Sequence, residues 1–297
     1  MKILNFGSLN YDYTYIVDHM VRPGETLSAK RMELHCGGKG LNQSIALSRA
    51  GVPVYHAGMI GNDGEELLKV CREDQIDTRF VGSCDTKCGH AMIQVNEQGE
   101  NCILLYAGAN WQISMQQIKR VLGSFEAGDM IILQNEVNEL ATIIDLAYER
   151  KMKIVLNPSP FNDVLHQCHL EKVSVFVVNE IEGNQITGKK DPEDILDKME
   201  QQYPCAEVVL TLGIDGSIYS GNKSRYQCDS YSVKAVDTTA AGDTFLGYYI
   251  AGIVDGKSIP DALKQASAAS AIAVTKRGAA VSIPKKIEVD NFLRIHG

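Results

Sequence analysis

The sequence predicts an α/β fold in a single domain, residues 1–297, with a mostly parallel central sheet and a small separate sheet. Short apolar runs alternate with amphipathic helix-like segments along almost the whole chain, which is the pattern of βαβ units. Two stretches, 11–36 and 90–106, break this alternation with strand-like residues and no intervening helix. The length of 297 residues suits one large domain with a small appendage, although it also suits two average domains.

Six apolar runs have the length of short buried strands. They are Ile3–Phe6, Val54–Ala57, Met130–Leu133, Ile154–Leu156, Val173–Val178 and Val208–Leu212. Six amphipathic runs have the spacing of helices. They are Asn42–Ala50, Gly64–Asp74, Glu139–Arg150, Pro192–Gln201, Gly242–Val254 and Ile259–Thr275. Because strands and helices alternate, we expect the binding site at the carboxyl ends of the strands.

The stretches 11–36 and 90–106 carry alternating apolar residues. In the second, two apolar runs flank residues 96–100, whose composition predicts a hairpin turn. Together the two stretches predict a small antiparallel sheet outside the main one. Over the mouth of a cleft such a sheet would act as a lid, but an ordinary peripheral hairpin has the same composition.

A glycine-rich segment, residues 36–43 (CGGKGLNQ), precedes a helix-like run. Three glycines within four residues let a ligand approach the backbone closely. Lys39 and Asn42 supply a cation and an amide that suit the recognition of hydroxyl groups. A tight turn at a helix start would also produce this pattern.

A second segment, residues 236–245 (VDTTAAGDTF), leads into another helix-like run. Exposed N–H groups at a helix N-terminus form an anion hole that suits a phosphoryl group. Asp243 beside that hole is well placed as a general base. The alternative is that Asp243 only caps the helix.

Two further motifs follow apolar strands. Asn179 and Glu182 are three residues apart and share one face of a helical first turn, where they would hold Mg²⁺ through its waters or simply cap the helix. Residues 210–216 (LTLGIDG) suit a nucleotide loop, although a turn between strands is the simpler interpretation. Residues 183–190 almost match a phosphate-binding loop, but Lys190 stands where Ser or Thr is needed, and Gly188 is better explained as a helix C-cap.

Composition limits the function classes. The net charge of −8 argues against nucleic-acid binding and against a polybasic membrane patch. Eight scattered Cys without a C-x-x-C pair predict reduced thiols in a cytoplasmic protein and no zinc site. The first residues lack a signal-peptide core, and no apolar run is long enough to cross a membrane. No G-x-G-x-x-G motif follows the first strand, which disfavours a dinucleotide-binding dehydrogenase.

The order of these motifs resembles the ribokinase-like (pfkB) family of sugar kinases. The resemblance extends from Gly7 to Pro284, and residues 37–43 and 237–245 carry it most specifically. It implies a ribokinase-like three-layer αβα sandwich with a small β-sheet lid. It also implies transfer of the γ-phosphoryl group of ATP to a sugar hydroxyl, converting ribose to ribose 5-phosphate.

The resemblance also implies roles for individual residues. The positions that match sugar-hydroxyl ligands are Asn10, Asp12, Gly38, Lys39, Asn42 and Glu136, and those that match lid residues over the sugar are Ala91, Ile93 and Leu105. Asp243 matches the catalytic base, and the backbone of Ala240, Ala241 and Gly242 matches the anion hole. The positions that match ATP contacts are Asn179, Thr211, Gly213 and Gly216 with Gly242, and Ser267 falls beside the adenine. Glu182 matches the carboxylate that organises Mg²⁺.

Two more expectations follow from the family. An activating monovalent cation, preferably K⁺, would be held mostly by backbone carbonyls of Asp237, Thr239, Ala273, Lys276, Gly278 and Ser282. A homodimer would form through the lid and bury alternating apolar residues such as Ala91 and Ile93.

The sequence departs from the family pattern near the sugar pocket. Tyr11 and Tyr13 flank Asp12, Leu41 replaces the usual Ala, and Asn135 precedes Glu136 where an apolar residue is usual. These departures leave open a sister kinase that acts on a nucleoside, fructose or another sugar. A non-catalytic sugar or nucleotide sensor on a kinase scaffold is a second alternative, against which the intact Asp243, Glu182 and Lys39 argue.

Overall fold

A computed structural model describes residues 1–296 of the chain. Within them the strands are β1 (Ile3–Phe6), β2 (Asn10–Ile16), β3 (Arg31–Gly37), β4 (Val54–Ile60), β5 (Asp77–Ser83), β6 (Gly89–Val95), β7 (Asn101–Tyr106), β8 (Met130–Gln134), β9 (Lys153–Asn157), β10 (Val175–Asn179), β11 (Glu207–Thr211), β12 (Ser217–Gly221) and β13 (Ser224–Cys228). The helices are α1 (Lys39–Arg49), α2 (Glu65–Glu73), α3 (Met115–Leu122), α4 (Leu140–Glu149), α5 (Glu180–Thr187), α6 (Pro192–Gln202), α7 (Ala241–Val254), α8 (Ile259–Ala273) and α9 (Lys286–His296).

The central sheet has the strand order β13-β12-β11-β10-β9-β8-β1-β4-β5. From β11 to β5 the neighbours pair in parallel, and β12 and β13 extend the sheet as an antiparallel hairpin. Successive residues of a strand point to opposite faces, so Ile131 and Ile132 enter two different apolar clusters. Helices α1, α7 and α8 cover one cluster and α3, α4 and α6 the other. The three-layer αβα arrangement is therefore confirmed.

Each predicted strand and helix is present, with ends that differ by at most three residues. Five elements were not predicted from the sequence, namely β5, β12, β13, α3 and α9. Strands β12 and β13 are rich in Ser, Gly, Tyr and Gln, which give little hydrophobic signal. Helix α9 buries only Val289 among its residues, so its periodicity is weak. Gly188 ends α5 at a positive φ of 73°, which confirms it as a helix C-cap.

The small sheet consists of β2, β3, β6 and β7 in the order β3-β2-β6-β7. Its outer pairs are antiparallel, but the central pair β2–β6 is parallel, so the prediction of an antiparallel sheet is wrong at its centre. The reason lies in the central sheet. Because β1 and β5 are parallel there, the segments that follow them, β2 and β6, leave the same edge in the same direction.

The two faces of the small sheet differ. In the register, Asp12 lies opposite Ala91, and Ala91 lies opposite Leu105, so these three residues share one face. The other face carries large apolar residues that are 44–68% exposed. They are Met32, Leu34, Met92, Leu104 and Tyr106.

None of the helices in residues 1–296 is long and apolar enough to cross a membrane. The eight cysteines are all free thiols.

Candidate active site

The site lies where the central parallel strands end. Gln134, Asn157, Asn179 and Thr211 are the last residues of β8, β9, β10 and β11, so they meet at one edge of the sheet. The first turns of α1 and α7 reach the same edge. The expectation that the site lies at the carboxyl ends of the strands agrees with this geometry.

Asp243 stands in the first turn of α7 and is only 7% exposed. Its Oδ2 accepts a hydrogen bond from Asn42 Nδ2 at 3.0 Å, and its Oδ1 accepts one from Gln43 Nε2 at 2.9 Å. The N-cap of α7 is Ala240, and no side chain caps the helix. The interpretation of Asp243 as a helix cap is therefore wrong. Its carboxylate is held instead by α1, which brings the two glycine-rich motifs together.

The first turn of α7 presents unpaired backbone donors. Ala240 adopts a left-handed conformation with φ of 60°, which turns the chain into the helix. Ala241 N donates to Thr238 O at 3.2 Å, whereas Gly242 N and Asp243 N donate to no other group within residues 1–296. A Cβ added to Gly242 would meet nothing within 4 Å, so this backbone faces open space. The predicted anion hole would therefore centre on the N–H groups of 242 and 243, because Ala241 N already donates within its own turn.

The glycine-rich segment packs tightly on the end of β1. A Cβ on Gly40 would lie 2.4 Å from Ser8 N, so only glycine fits there. Gly38, with φ of 92°, is the N-cap of α1. Ser8 Oγ donates to Glu136 Oε2, which also accepts from Lys39 N at 3.0 Å. Loop, strand and Glu136 thus form one polar unit on the sugar side.

Three carboxylates face one another there. Burial raises the pKa of Asp12 to about 7, and the charges of Glu136 and Asp243 add to the effect. Burial also raises the pKa of Glu136, although Lys39 and Ser8 oppose it. Carboxylates in this state are strong acceptors for sugar hydroxyl groups once a ligand supplies donors.

Lys39 supplies the balancing cation. Burial alone would lower the pKa of its ammonium group, but three surrounding carboxylates outweigh burial and raise that pKa, so Lys39 keeps its charge. They belong to Asp243, Glu136 and Glu182. Lys39 also lines a pocket on the phosphate side of Asp243, so its side chain lies between the two halves of the site.

The predicted residues of the small sheet differ in exposure. Ala91 is 4% exposed and lies on the Asp12 face, whereas Leu105 on the same face is 49% exposed. Ile93 lies two residues along β6 on that face and is half-buried. Ala91 is already buried within one chain, so it has almost no surface left to bury in a dimer.

A large cavity of about 520 Å³ opens beside the first turn of α7. It contains five of the predicted ATP-binding positions, namely Thr211, Gly213, Gly216, Gly242 and Ser267. Thr211 and Gly216 belong to the turn that joins β11 to β12, so the strand-to-strand turn predicted for residues 210–216 also forms a cavity wall. The cavity walls are mostly apolar, which suits a flat heteroaromatic ring.

A smaller polar cavity of about 190 Å³ continues from the large one toward Asp243. The two cavities share Thr211, Thr238, Ala241 and Gly242 as lining residues. The small one also contains Lys39, Asn179, Glu182, Ala240 and Asp243. Asn179 therefore lines the small polar cavity and not the large one.

Asn179 and Glu182 form a capping box on α5. Asn179 Oδ1 accepts from Glu182 N at 2.8 Å, and Glu182 Oε2 accepts from Asn179 N at 3.0 Å. The interpretation of this pair as a helix cap is thus confirmed. Glu182 also lines the small polar cavity. No hydrogen bond from residues 1–296 reaches Glu182 Oε1, so that oxygen has room to accept from a ligand or its waters.

The predicted cation residues lie in two loops next to the anion hole. Asp237 Oδ1 accepts from Thr239 N and Oγ1 at 2.9 and 2.6 Å, and its Oδ2 accepts from Gly278 N at 2.9 Å. These hydrogen bonds outweigh burial and lower the pKa of Asp237. Lys276 pairs its ammonium group with Glu288, so only its carbonyl is left for a cation. Ala273 and Ser282 are buried beside the same loops.

Three polar residues of the site were not predicted. Gln43 Nε2 donates to Asp243 Oδ1. Asn157 Nδ2 donates to Val177 O at 3.0 Å and lies 3.4 Å from Glu182 Oε2. Asn110 Nδ2 donates to Asn10 Oδ1 at 2.6 Å. Two of them carried an available signal: Asn157 ends β9 at the predicted site edge, and Gln43 follows Asn42 in the glycine-rich segment. Asn110 carried none.

Comparison with known proteins identifies the family. A family model described as pfkB family carbohydrate kinase matches residues 1–286. The chain belongs to the pfkB family of carbohydrate kinases. This pfkB kinase is therefore a phosphotransferase that acts on a sugar hydroxyl, as the motifs predicted.

Individual relatives of this pfkB kinase cover it almost completely. A ribokinase of Haemophilus influenzae is 32% identical over 296 residues, which is 97% of this chain and 96% of the relative. The crystal structure of ribokinase from Cryptococcus neoformans in complex with ADP is 32% identical, covers 98% of this chain and 99% of its own, and has a TM-score of 0.86. Arabidopsis thaliana ribokinase complexed with ribose and ATP is 25% identical, covers 99% and 98%, and has a TM-score of 0.87.

Proposed function

We propose that this pfkB kinase transfers the γ-phosphoryl group of ATP to the 5-hydroxyl of ribose and releases ribose 5-phosphate. One observation carries the proposal: the carboxylate of Asp243 is held by Asn42 and Gln43 directly beside unpaired N–H groups of its own helix. A base in that position borders both a sugar hydroxyl and a terminal phosphate. The similarity to ribokinases, one of them complexed with ribose and ATP, supports ribose as the sugar.

The chemistry follows from position and charge. Sugar hydroxyls donate hydrogen bonds to Asp12 and Glu136, which turns the reacting hydroxyl toward Asp243. Asp243 accepts the proton of that hydroxyl as its oxygen attacks the γ-phosphorus, and the bond to the leaving ADP oxygen breaks. The N–H groups of 242 and 243 stabilise the charge on the transferring group.

ATP occupies the large cavity, with its phosphates in the small polar one. Lys39 then lies beside the transferring phosphoryl group and balances its charge, in addition to the sugar contact predicted from the family. The small sheet acts as a lid: with Asp12, Ala91, Ile93 and Leu105 over the sugar, it excludes water and limits ATP hydrolysis.

Magnesium is part of the proposal. Glu182, with one free carboxylate oxygen, would hold the ion through its waters, and Asn179 and Asn157 orient that carboxylate. A bound Mg²⁺ supplies charge neutralisation between the phosphates. Titration with the metal should show that Glu182→Gln needs a higher Mg²⁺ concentration for half-maximal rate; an unchanged requirement would argue against this role.

A monovalent cation, preferably K⁺, is proposed for the loops at 237–239 and 273–282. Among residues 1–296, no group of three or more His, Cys, Asp and Glu side chains is arranged to hold a metal ion. One ionised carboxylate with several carbonyl oxygens suits a weakly charged ion of this kind. A bound cation would help to fix the loops that border the anion hole.

We further propose a homodimer through the lid. The exposed apolar face of Met32, Leu34, Met92, Leu104 and Tyr106 is the surface it would cover. Leu104→Lys should therefore give a monomer in sedimentation velocity, whereas Ile295→Lys, on the exposed and distant α9, should leave the dimer intact. A wild-type protein that sediments as a monomer would exclude this part of the proposal.

The cytoplasm is the proposed location. Eight free thiols are typical of a reducing compartment. Fractionation of cells should recover the protein with cytoplasmic markers.

The deciding experiment is a coupled assay of ADP formation over a panel of sugars and nucleosides. We expect ribose to give the highest kcat/KM. A higher value for 2-deoxyribose, fructose or a nucleoside would move the assignment to a sister kinase, a possibility that the residues around Tyr11, Tyr13, Leu41 and Asn135 leave open. ATP and ribose binding without turnover would instead indicate a sensor.

A further inference from the structure

A chain of three buried amides lies behind Asp243, and the mechanism above uses only its first member, Gln43. The amide chain consists of Asn5 in β1, Gln134 at the end of β8 and Gln43 in α1, and all three are 0% exposed. Gln43 Nε2 donates to Asp243 Oδ1 at 2.9 Å, and Gln43 Oε1 accepts from Gln134 Nε2 at 2.6 Å. Gln134 Nε2 also donates to Asn5 Oδ1 at 2.9 Å.

The direction of each hydrogen bond in the amide chain is fixed from its far end. Asn5 Nδ2 donates to the backbone carbonyl of Gly40 at 2.7 Å, and a carbonyl oxygen can only accept. Asn5 therefore turns Oδ1 toward Gln134, whose Nε2 must donate. Gln43 in turn must present Oε1 to Gln134 and Nε2 to Asp243.

The reversed orientation of Gln43 is unfavourable at both ends. If its amide rotated by half a turn, Oε1 would face the carboxylate of Asp243 and Nε2 would face Nε2 of Gln134. Two acceptors and two donors would then oppose each other where water is excluded, and such buried mismatches are costly. The chain thus keeps a donor on the carboxylate and holds the plane of that carboxylate.

We infer that Gln134 is a positioning residue for phosphoryl transfer, which it serves by holding the Gln43 amide against Asp243. The inference rests on the proposed function, because it takes Asp243 as the base. Gln43 hydrogen-bonds directly to Asp243, whereas the hydrogen bonds of the Gln134 side chain within residues 1–296 go only to Gln43 and Asn5, through which it acts.

The test is Gln134→Met, which keeps the side-chain length and removes both donated hydrogen bonds. A lost hydrogen bond in a network that ends on a charged group corresponds to a rate loss of about tenfold to hundredfold. We expect that loss in kcat, with KM for sugar and ATP unchanged, because no substrate contact is removed. Gln117→Met is the matched control: Gln117 is buried in α3 and donates to Gly58 O at 2.8 Å, but it belongs to the opposite helical layer.

A double-mutant cycle separates positioning from general damage. Because Gln134 acts through Gln43, the double variant of Gln43→Met and Gln134→Met should have the kcat of Gln43→Met alone. Losses that multiply in the double variant would overturn the inference. A wild-type kcat in Gln134→Met, or the same loss in Gln117→Met, would also overturn it.

A crystal structure of the variant gives a readout that does not depend on turnover. In Gln134→Met the Gln43 amide is no longer held at Oε1, so it should shift and the distance between Gln43 Nε2 and Asp243 Oδ1 should lengthen; an amide that stays in place at 2.9 Å would refute the role of Gln134. If Gln134→Met does not fold, as followed by circular dichroism, Gln134→Leu carries the same expectations. Failure of the proposed function is distinguishable, because wild-type protein would then phosphorylate no sugar of the panel.

Discussion

Asp12→Asn should make the sugar-free protein more stable, by an amount that depends on pH. Burial, with the charges of Glu136 and Asp243, raises the pKa of Asp12 from 3.8 to about 7. One pKa unit corresponds to about 1.4 kcal/mol, so the ionised carboxylate destabilises the native state by ~4 kcal/mol. Asparagine has the same shape without the charge, and it removes this effect.

The direction of the pH dependence follows from linkage. Below about pH 4 Asp12 is protonated in both the native and the unfolded state, so its charge contributes nothing. Between about pH 4 and about pH 7 the unfolded chain ionises while the native state does not, and wild-type stability falls as the pH rises. Above about pH 7 both states are ionised and the difference stays constant.

Urea unfolding between about pH 5 and about pH 8 tests this. The advantage of Asp12→Asn over wild type should grow up to neutral pH and then level off. Asp129→Asn is the control with the opposite sign: Lys2 N and Glu126 N outweigh burial and lower the pKa of Asp129, so it stays ionised throughout and the cost of its removal should not vary. A pH-independent difference for Asp12→Asn, or one that shrinks as the pH rises, would refute the reasoning.

The same titration should appear in sugar binding. Only the ionised Asp12 accepts hydroxyl hydrogen bonds from both of its oxygens, so KM for the sugar should rise about tenfold per pH unit below pH 7. In Asp12→Asn the KM should be high at every pH and lack this slope. A wild-type KM that is flat from acid to neutral pH would remove Asp12 from sugar recognition.

Three other changes test the rest of the site. Asp243→Asn should lower kcat by about 10²–10⁴. It should also lower the stability, because its new amide N–H₂ group would face a side-chain donor of Asn42 or Gln43. Asp129→Asn should keep the wild-type kcat, and a fully active Asp243→Asn would exclude Asp243 as the general base. Gly242→Val should fold, since its side chain enters open space, but lose about a hundredfold in kcat where the phosphoryl group binds. Exchange of K⁺ for choline at constant ionic strength should lower activity, and Asp237→Asn should abolish the response; equal rates in both salts would argue against the cation site.

Much of the fold and half of the site were predictable because their signals are local. The apolar side chains of a run such as Ile3–Phe6 or Val208–Leu212 are enough to indicate a buried strand. Glycines before a helix mark close backbone approach, and Gly40 fits that signal because a Cβ there would collide with Ser8. The meeting of 37–43 and 237–245 was not predictable in this way, because the first follows β3 of the small sheet and the second follows the antiparallel strand β13.

The other contacts of the site join residues that are far apart in the sequence, so no local pattern of residues indicates them. Asn42 and Gln43 are adjacent in a helix and point in different directions, so at most one was expected to face a given partner. Both reach Asp243, because its carboxylate lies across the first turn of α1 and its two oxygens are held separately. Gln134 simply ends an apolar strand, and nothing nearby in sequence shows that a glutamine there must donate.

The placement of charge connects sugar binding to the position of the small sheet. Asp12 belongs to that sheet, whereas Glu136 and Asp243 belong to the body, and their mutual repulsion is part of the reason that the pKa of Asp12 is high. With no sugar, ionisation of Asp12 disfavours the approach of the small sheet to the body, because Asp12 is repelled by Glu136 and Asp243. A sugar between the small sheet and the body would donate hydroxyl hydrogen bonds to the carboxylates on both sides, which would offset their mutual repulsion. In the proposed mechanism, the carboxylates that recognise the sugar would therefore also make closure of the lid depend on the sugar, which would keep ATP from reacting with water while the sugar site is empty.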